Sequence, residues 1–184
     1  MGKAIVSRRV LIASIAGTAC CFVLMRYVSI PSGIPSTNLN MAAVVVVIVS
    51  AIFGPVAGFF VGFTGHALAD LASGYGIWWT WAAADGIYGL LVGLFSRFFK
   101  IEEGLFGVRE ALVFNAVQIL ANVVCWLLLA PTLDIIFYQE AANKVYLQGL
   151  VAAILNSVVI LVLGTIMILC YSRIISAGYN DDGD

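Results

Sequence analysis

Charge is what this sequence has least of. Only 10% of its 184 residues are Asp, Glu, Lys or Arg, against about 25% in an ordinary soluble domain, so the chain lacks the polar surface that would keep it dissolved. Histidine occurs once, which excludes a His-Glu-x-x-His zinc helix, and no Gly-x-Ser-x-Gly elbow is present. A Gly-x-x-x-x-Gly-Lys-Ser/Thr phosphate loop is also missing, so the chain cannot hydrolyse ATP by itself. The four cysteines, Cys20, Cys21, Cys125 and Cys170, lie in apolar runs without Cys-x-x-Cys or Cys/His spacing. They read as small lipid-side or core residues, not disulfides or metal ligands. No cofactor or metal is expected.

What fills the chain instead is apolar: 62% of residues are hydrophobic and the mean hydropathy is +1.07. A membrane-spanning helix needs about 20 such residues. The runs predict six helices, at about 10–28, 41–53, 56–72, 77–99, 108–129 and 146–175, within one integral membrane domain covering 1–184 and placed in the cell membrane. The first run follows Lys3, Arg8 and Arg9 but is longer than a signal-peptide core, so it reads as a retained helix. Residues 29–40, with two prolines, a glycine and several turn formers, read as a loop without regular structure. Gly54-Pro55 reads as a tight reversal opening the third helix. Pro131 is expected to break the fifth helix, leaving 134–144 as a polar connection.

With the N-terminus inside, Lys3, Arg8, Arg9, Arg97, Lys100, Arg109 and Arg173 fall on the cytoplasmic side, and only Arg26 and Lys144 fall outside. This asymmetry obeys the positive-inside rule and puts both termini in the cytoplasm.

Ionisable residues are costly within the hydrocarbon and usually face a bundle interior or a watery cavity. Here they gather toward the outer end. Gly54, Gly58, Gly62, His66 and Asp70 recur every four residues and form one stripe of the third helix. Trp78, Trp81 and Asp85 share a face of the fourth helix, and Asn115, Gln118 and Asn122 share one on the fifth. Gln148 opens the sixth helix and Asn156 lies near its midpoint. Together with Arg26, these stripes predict a cup opening outward. Each has a plainer explanation: tryptophans as an interfacial belt, Asn and Gln as interhelical bonds, His66 bonded to Asp85, and Arg26 snorkelling. Their shared depth favours a binding site.

Small-x-x-x-small spacings, Gly54-x3-Gly58-x3-Gly62, Gly89-x3-Gly93 and Ala13-x3-Gly17, allow close helix approach. The last begins at the cytoplasmic end, where it suits either packing within the bundle or contact with a second membrane protein.

The stretch from Ala51 to Asp70, with Gly54-Pro55-x-x-Gly58-x-x-x-Gly62 and His66-Ala-Leu-Ala-Asp70, resembles the substrate-binding S components of energy-coupling factor (ECF) transporters. Arg26-Tyr-Val-Ser-Ile-Pro31, Thr37-Asn38 and Trp78-Trp-x-Trp81 resemble the riboflavin-type branch, and the likeness runs over essentially the whole chain. The resemblance implies an all-α bundle of six membrane helices, both termini cytoplasmic, that captures a vitamin or related micronutrient outside. It also implies a transmembrane coupling subunit carrying two ATP-binding cassette ATPases as partners. The family's Ala-x-x-x-Ala docking motif corresponds to Ala13-x-x-x-Gly17, with glycine replacing the second alanine, and 29–40 corresponds to the lid.

On this reading Tyr75, Trp78 and Trp81 stack on a flat ring. Asn38, Asn40, Gln118, Asn122 and Asn156 read its heteroatoms, and His66, Asp70 and Asp85 fix a hydroxyl or amine. Riboflavin follows from the branch; the carboxylates equally suit a cationic pyrimidine or pyridine compound. No nucleic-acid partner is expected. The alternative is a self-sufficient proton-coupled secondary transporter using His66, Asp70 and Asp85 as a relay; it predicts inverted repeats, which the two halves do not show. An intramembrane enzyme would have only Asp70 and Asp85 as a catalytic pair.

Overall fold

The computed structural model describes residues 7–34, 37–74 and 76–181, apart from the side chains of residues 40 and 179–181. Ser7 caps the first helix, α1 (Arg8–Tyr27), by accepting the Val10 amide hydrogen. The stretch after it is not the expected irregular loop. It forms an antiparallel hairpin of β1 (Ser29–Ile34) and β2 (Thr37–Asn40), with Ser29 opposite Asn40, Ile30 opposite Leu39 and Pro31 opposite Asn38. A two-stranded ribbon has free edges, so Pro31 can occupy a strand without removing a needed ladder donor. The register shifts between Pro31 and Ile34, where Gly33 takes a φ of 86°.

The next helix, α2 (Ala42–Phe53), is a run of valines and alanines enclosed by its neighbours. Gly54, at φ 88°, turns the chain, and Pro55 opens α3 (Pro55–Ser73) from its first turn, where a missing N–H costs nothing. Packed along it is α4 (Trp79–Leu94), followed by the single turn α5 (Ser96–Phe99). The glycine stripe of α3 faces α4: a Cβ on Gly62 would collide with the Asp85 carbonyl, and one on Gly89 with the Gly58 carbonyl. Small residues thus let the two backbones touch, which is how membrane helices gain packing without a hydrophobic drive between them.

Pro131 does not end the fifth helix. Helix α6 (Val108–Asn122) passes through a π-helical stretch, Val123–Leu129, directly into α7 (Ala130–Tyr138). The wider π turn relieves the clash between a proline ring and the preceding turn. In this i→i−5 pattern, position 131 would pair with the Trp126 carbonyl, to which proline has no hydrogen to donate. The backbone of the next helix is packed against that oxygen at Gly149, where any Cβ would collide with it. That helix, α8 (Ala142–Val159), begins in the expected polar connection and runs through a second π segment, Ile160–Gly164, into α9 (Thr165–Asp181).

Among the described residues, four helical runs are long and apolar enough to cross a membrane: Arg8–Tyr27, Pro55–Ser73, Val108–Tyr138 and Ala142–Gly178. The outer surface is correspondingly oily, with Ile15, Phe60, Leu112, Leu120 and Ile174 all well exposed. Such a surface suits acyl chains and not water.

Candidate functional site

A cavity of about 730 Å³ lies where the end of α1, the hairpin, the C-terminal end of α3, the N-terminal end of α4, the π segment with α7, and α8 converge. Ser29, Thr37 and Asn38 of the hairpin border it on one side.

The stripe periodicity of α3 brings His66 and Asp70 to this end, one turn apart. His66 Nδ1 lies 2.7 Å from Asp85 Oδ2 on α4, and His66 Nε2 lies 3.7 Å from Asp70 Oδ2. Asp70 also accepts the Trp78 main-chain N–H at 2.9 Å, which pins the start of α4 to the end of α3. Gly74, at φ 85°, is the αL cap that makes this reversal possible.

The aromatic wall is organised by Asp134, a residue the sequence reading placed in a loop. Its carboxylate accepts the Trp78 indole N–H at 2.9 Å, the Trp81 indole N–H at 2.7 Å and the Thr80 hydroxyl. Asp134 is only 2% exposed, and no cation pairs with it among the described residues. Trp126, from the π segment, tilts over Trp81 with ring centroids 5.3 Å apart, and Tyr138 packs on Trp78 at 4.6 Å. Trp126 is a lining residue, 4% exposed, whose indole N–H has no hydrogen-bond partner.

Eight expected residues, Arg26, Asn38, His66, Asp70, Trp78, Trp81, Asp85 and Asn156, line the cavity. Arg26 is exposed, its Nε donates to the Ala72 carbonyl at 3.4 Å, and its guanidinium lies over the Tyr27 ring. Tyr75 lies outside the described residues. Asn40 belongs to β2, and its side chain is likewise undescribed.

Gln118 and Asn122 are not in the lining. Both are fully buried in a polar ladder: Asn122 Nδ2 donates to Gln118 Oε1 at 3.0 Å and to the Tyr88 hydroxyl at 3.3 Å, while Gln118 Nε2 donates to the Ser157 carbonyl at 3.3 Å. They tie α6 to α4 and α8, because the polar face of α6 is turned into the helix contacts. The expected docking pair lies on the inward side of α1. Gly17 is buried within the chain, where a Cβ would lie 2.9 Å from Val61 and 3.0 Å from Val49, and Ala13 is half-buried. The outward side of α1 carries Leu11, Ile12 and Ile15.

Asp134 and Trp126 were missed for one shared reason. A helix ended at Pro131 leaves Asp134 outside the bundle and gives no cause to align it with Trp126. The four-residue spacing of Gln118, Asn122, Trp126, Ala130 and Asp134 lines up only through the wider π turn, so in a regular helix it gave no signal.

A helical bundle with an oily exterior and a polar, aromatic cavity at one end defines a multi-pass membrane protein able to hold a small molecule. Sequence comparison gives the particular kind: residues 6–173 match the family model described as ECF-type riboflavin transporter, S component. The chain belongs to this family. It is a substrate-binding membrane subunit of an ECF transporter and not an enzyme, and membership implies partnership with coupling and ATPase subunits in a membrane complex. It is also similar to proteins bearing the name UPF0397 protein. The one from Lacticaseibacillus casei (strain BL23) is 48% identical over 167 residues, covering 90% of this chain and 89% of the relative. That from Clostridium perfringens is 44% identical over 173 residues, covering 94% of each. No solved structure matches the chain.

Proposed function

We propose that this subunit captures a flat, vitamin-like heteroaromatic molecule from the outer side of the cell membrane, to be released inward by a coupling subunit driven by two ATPases. The observation that carries this reading is the cavity of about 730 Å³, within the size range of small-molecule sites, with tryptophans on one wall and carboxylates, a histidine and amides beside them. Arg26, Asn38, His66, Asp70, Trp78, Trp81, Asp85 and Asn156 are the proposed contacts, joined by Trp126 and Asp134. Riboflavin, as in the description of the matching family, and a pyrimidine or pyridine vitamin precursor are the two substrate classes of suitable size and flatness.

The proposed topology has six crossings and cytoplasmic termini, with the hairpin outside. The helices α2 and α4 are short for full spans, but α2 is enclosed by other helices and does not need to match the lipid thickness itself. Isolating the native complex under mild conditions, with mass spectrometry of subunits and bound small molecules, tests the proposal. The expected result is a small heteroaromatic compound together with a coupling subunit and ATPases. Vesicles containing this chain alone should accumulate no substrate under a pH gradient; accumulation would favour the proton-coupled alternative.

A further inference from the structure

The cavity wall has an electrostatic imbalance that selects among flat molecules. Four carboxylates line it, Asp70, Asp85, Asp134 and Glu140, against Arg26, Lys144 and the single imidazole of His66. Lys144 is committed to Glu140 at 2.7 Å. Arg26 is exposed, over the Tyr27 ring. What remains is Arg26 at the exposed edge and one histidine for the three carboxylates Asp70, Asp85 and Asp134, and that histidine is 2.7 Å from Asp85. Asp134 has only neutral donors: two indole N–H groups and a hydroxyl.

The geometry keeps these carboxylates close to the aromatic faces. Trp78 donates its main-chain N–H to Asp70 and its indole N–H to Asp134, so a single residue spans both. Trp81 donates to the same Asp134, and Asp85 follows Trp81 by one turn on the same side of α4. With their N–H edges held by an anion, the two indoles offer their π faces for stacking, and a hydrogen-bonded anion at the edge makes those faces more attractive to positive charge. A second observation points to the rest of the ligand. The Trp126 indole N–H is a buried donor with no partner, and such a group calls for an acceptor.

We infer, resting on the substrate-binding reading above, that the substrate is a planar heteroaromatic base carrying a cationic nitrogen. Its ring stacks on Trp78 and Trp81, its charge lies beside Asp134 and Asp70, and an oxygen or unprotonated nitrogen on it accepts from Trp126. A neutral isoalloxazine leaves the carboxylates uncompensated and is the poorer ligand.

The test is intrinsic tryptophan fluorescence of the purified full chain in lipid nanodiscs, titrated with four probes. Pyridoxamine and thiamine carry a net positive charge; pyridoxine, which differs from pyridoxamine by a hydroxyl in place of the amine, and riboflavin are net neutral. Pyridoxamine is expected to bind about tenfold more tightly than pyridoxine, the margin between a charge-assisted and a neutral hydrogen bond, and thiamine more tightly than riboflavin. The margin should shrink in Asp134→Asn and in the partly exposed Asp70→Asn; the wild-type comparison stands even where a variant fails to fold. Equal or tighter binding of pyridoxine and riboflavin overturns the cationic assignment and leaves the aromatic-substrate reading intact. Quenching by none of the four overturns both.

Discussion

At the scale of single residues, Asp134 has a wide reach, because one side chain fixes two indoles and a hydroxyl at the N-cap and first turn of α4. Removing it leaves three donors in the wall without their acceptor, and bonds to a carboxylate are worth about 1.5–3 kcal/mol each. Asp134→Ala should therefore weaken substrate binding by about 10- to 100-fold, read by calorimetry with the molecule recovered from the native complex; Asp134→Asn, which still accepts at one oxygen, should lose less. Gln118 predicts the opposite pattern. Its bonds to Asn122 and Ser157 join helices away from the cavity, and such bonds average about 0.6 kcal/mol in membrane proteins. Gln118→Leu should lower the melting temperature in detergent while leaving substrate affinity nearly unchanged. Residue types thus disclosed much of the polar inventory but not its direction. The four-residue spacing of Trp81 and Asp85 lies in a regular helix, and both stand in the cavity lining. The same logic applied to Gln118 and Asn122 pointed at the cavity, although helix contacts had already taken that face.

At the scale of elements, the decisive departure from sequence expectation is the π segment Val123–Leu129. In an ideal α-helix a four-residue spacing drifts by about 40° per step, so Gln118 and Asp134 would end up on different faces. The wider turn reverses part of that drift, and Gln118, Asn122, Trp126, Ala130 and Asp134 are all buried. Composition does not encode a π turn, and proline in an apolar run ordinarily signals an end. The hairpin was hidden for a related reason: Pro31 and Pro35 discourage strands, and only the free edges of a two-stranded ribbon make Pro31 acceptable. Glycine spacing, by contrast, was legible, because Gly58, Gly62 and Gly89 meet across α3 and α4. Gly62→Ala should push these helices apart at a cost of about 1–3 kcal/mol, seen as a lower melting temperature. Gly149→Ala, aimed at the Trp126 carbonyl, should displace the aromatic wall and weaken binding as well as stability.

At the scale of the whole molecule, the distribution of basic residues makes the proposed orientation testable. Lys144 stands beside the cavity, paired with Glu140, and Lys100 caps α5. A membrane-impermeant amine reagent applied to intact cells should modify Lys144 and spare Lys100, with peptide mass spectrometry as the readout; the reverse pattern would invert the topology. The oily exterior and enclosed polar cavity follow from the low charge and high hydropathy of the chain. The number of full crossings is less direct, since α2 and α4 are shorter than the usual span. Helix α2 has a consequence for biogenesis. Its 12 residues rise only about 18 Å, against a hydrocarbon core of about 30 Å, and its valines are buried by sister helices. Leaving the translocon alone, it would be a poor fit to lipid; joined to α3 through Gly54 alone, it can partition as half of a helical pair, so the nascent chain's third apolar segment must be synthesised before its second is securely inserted.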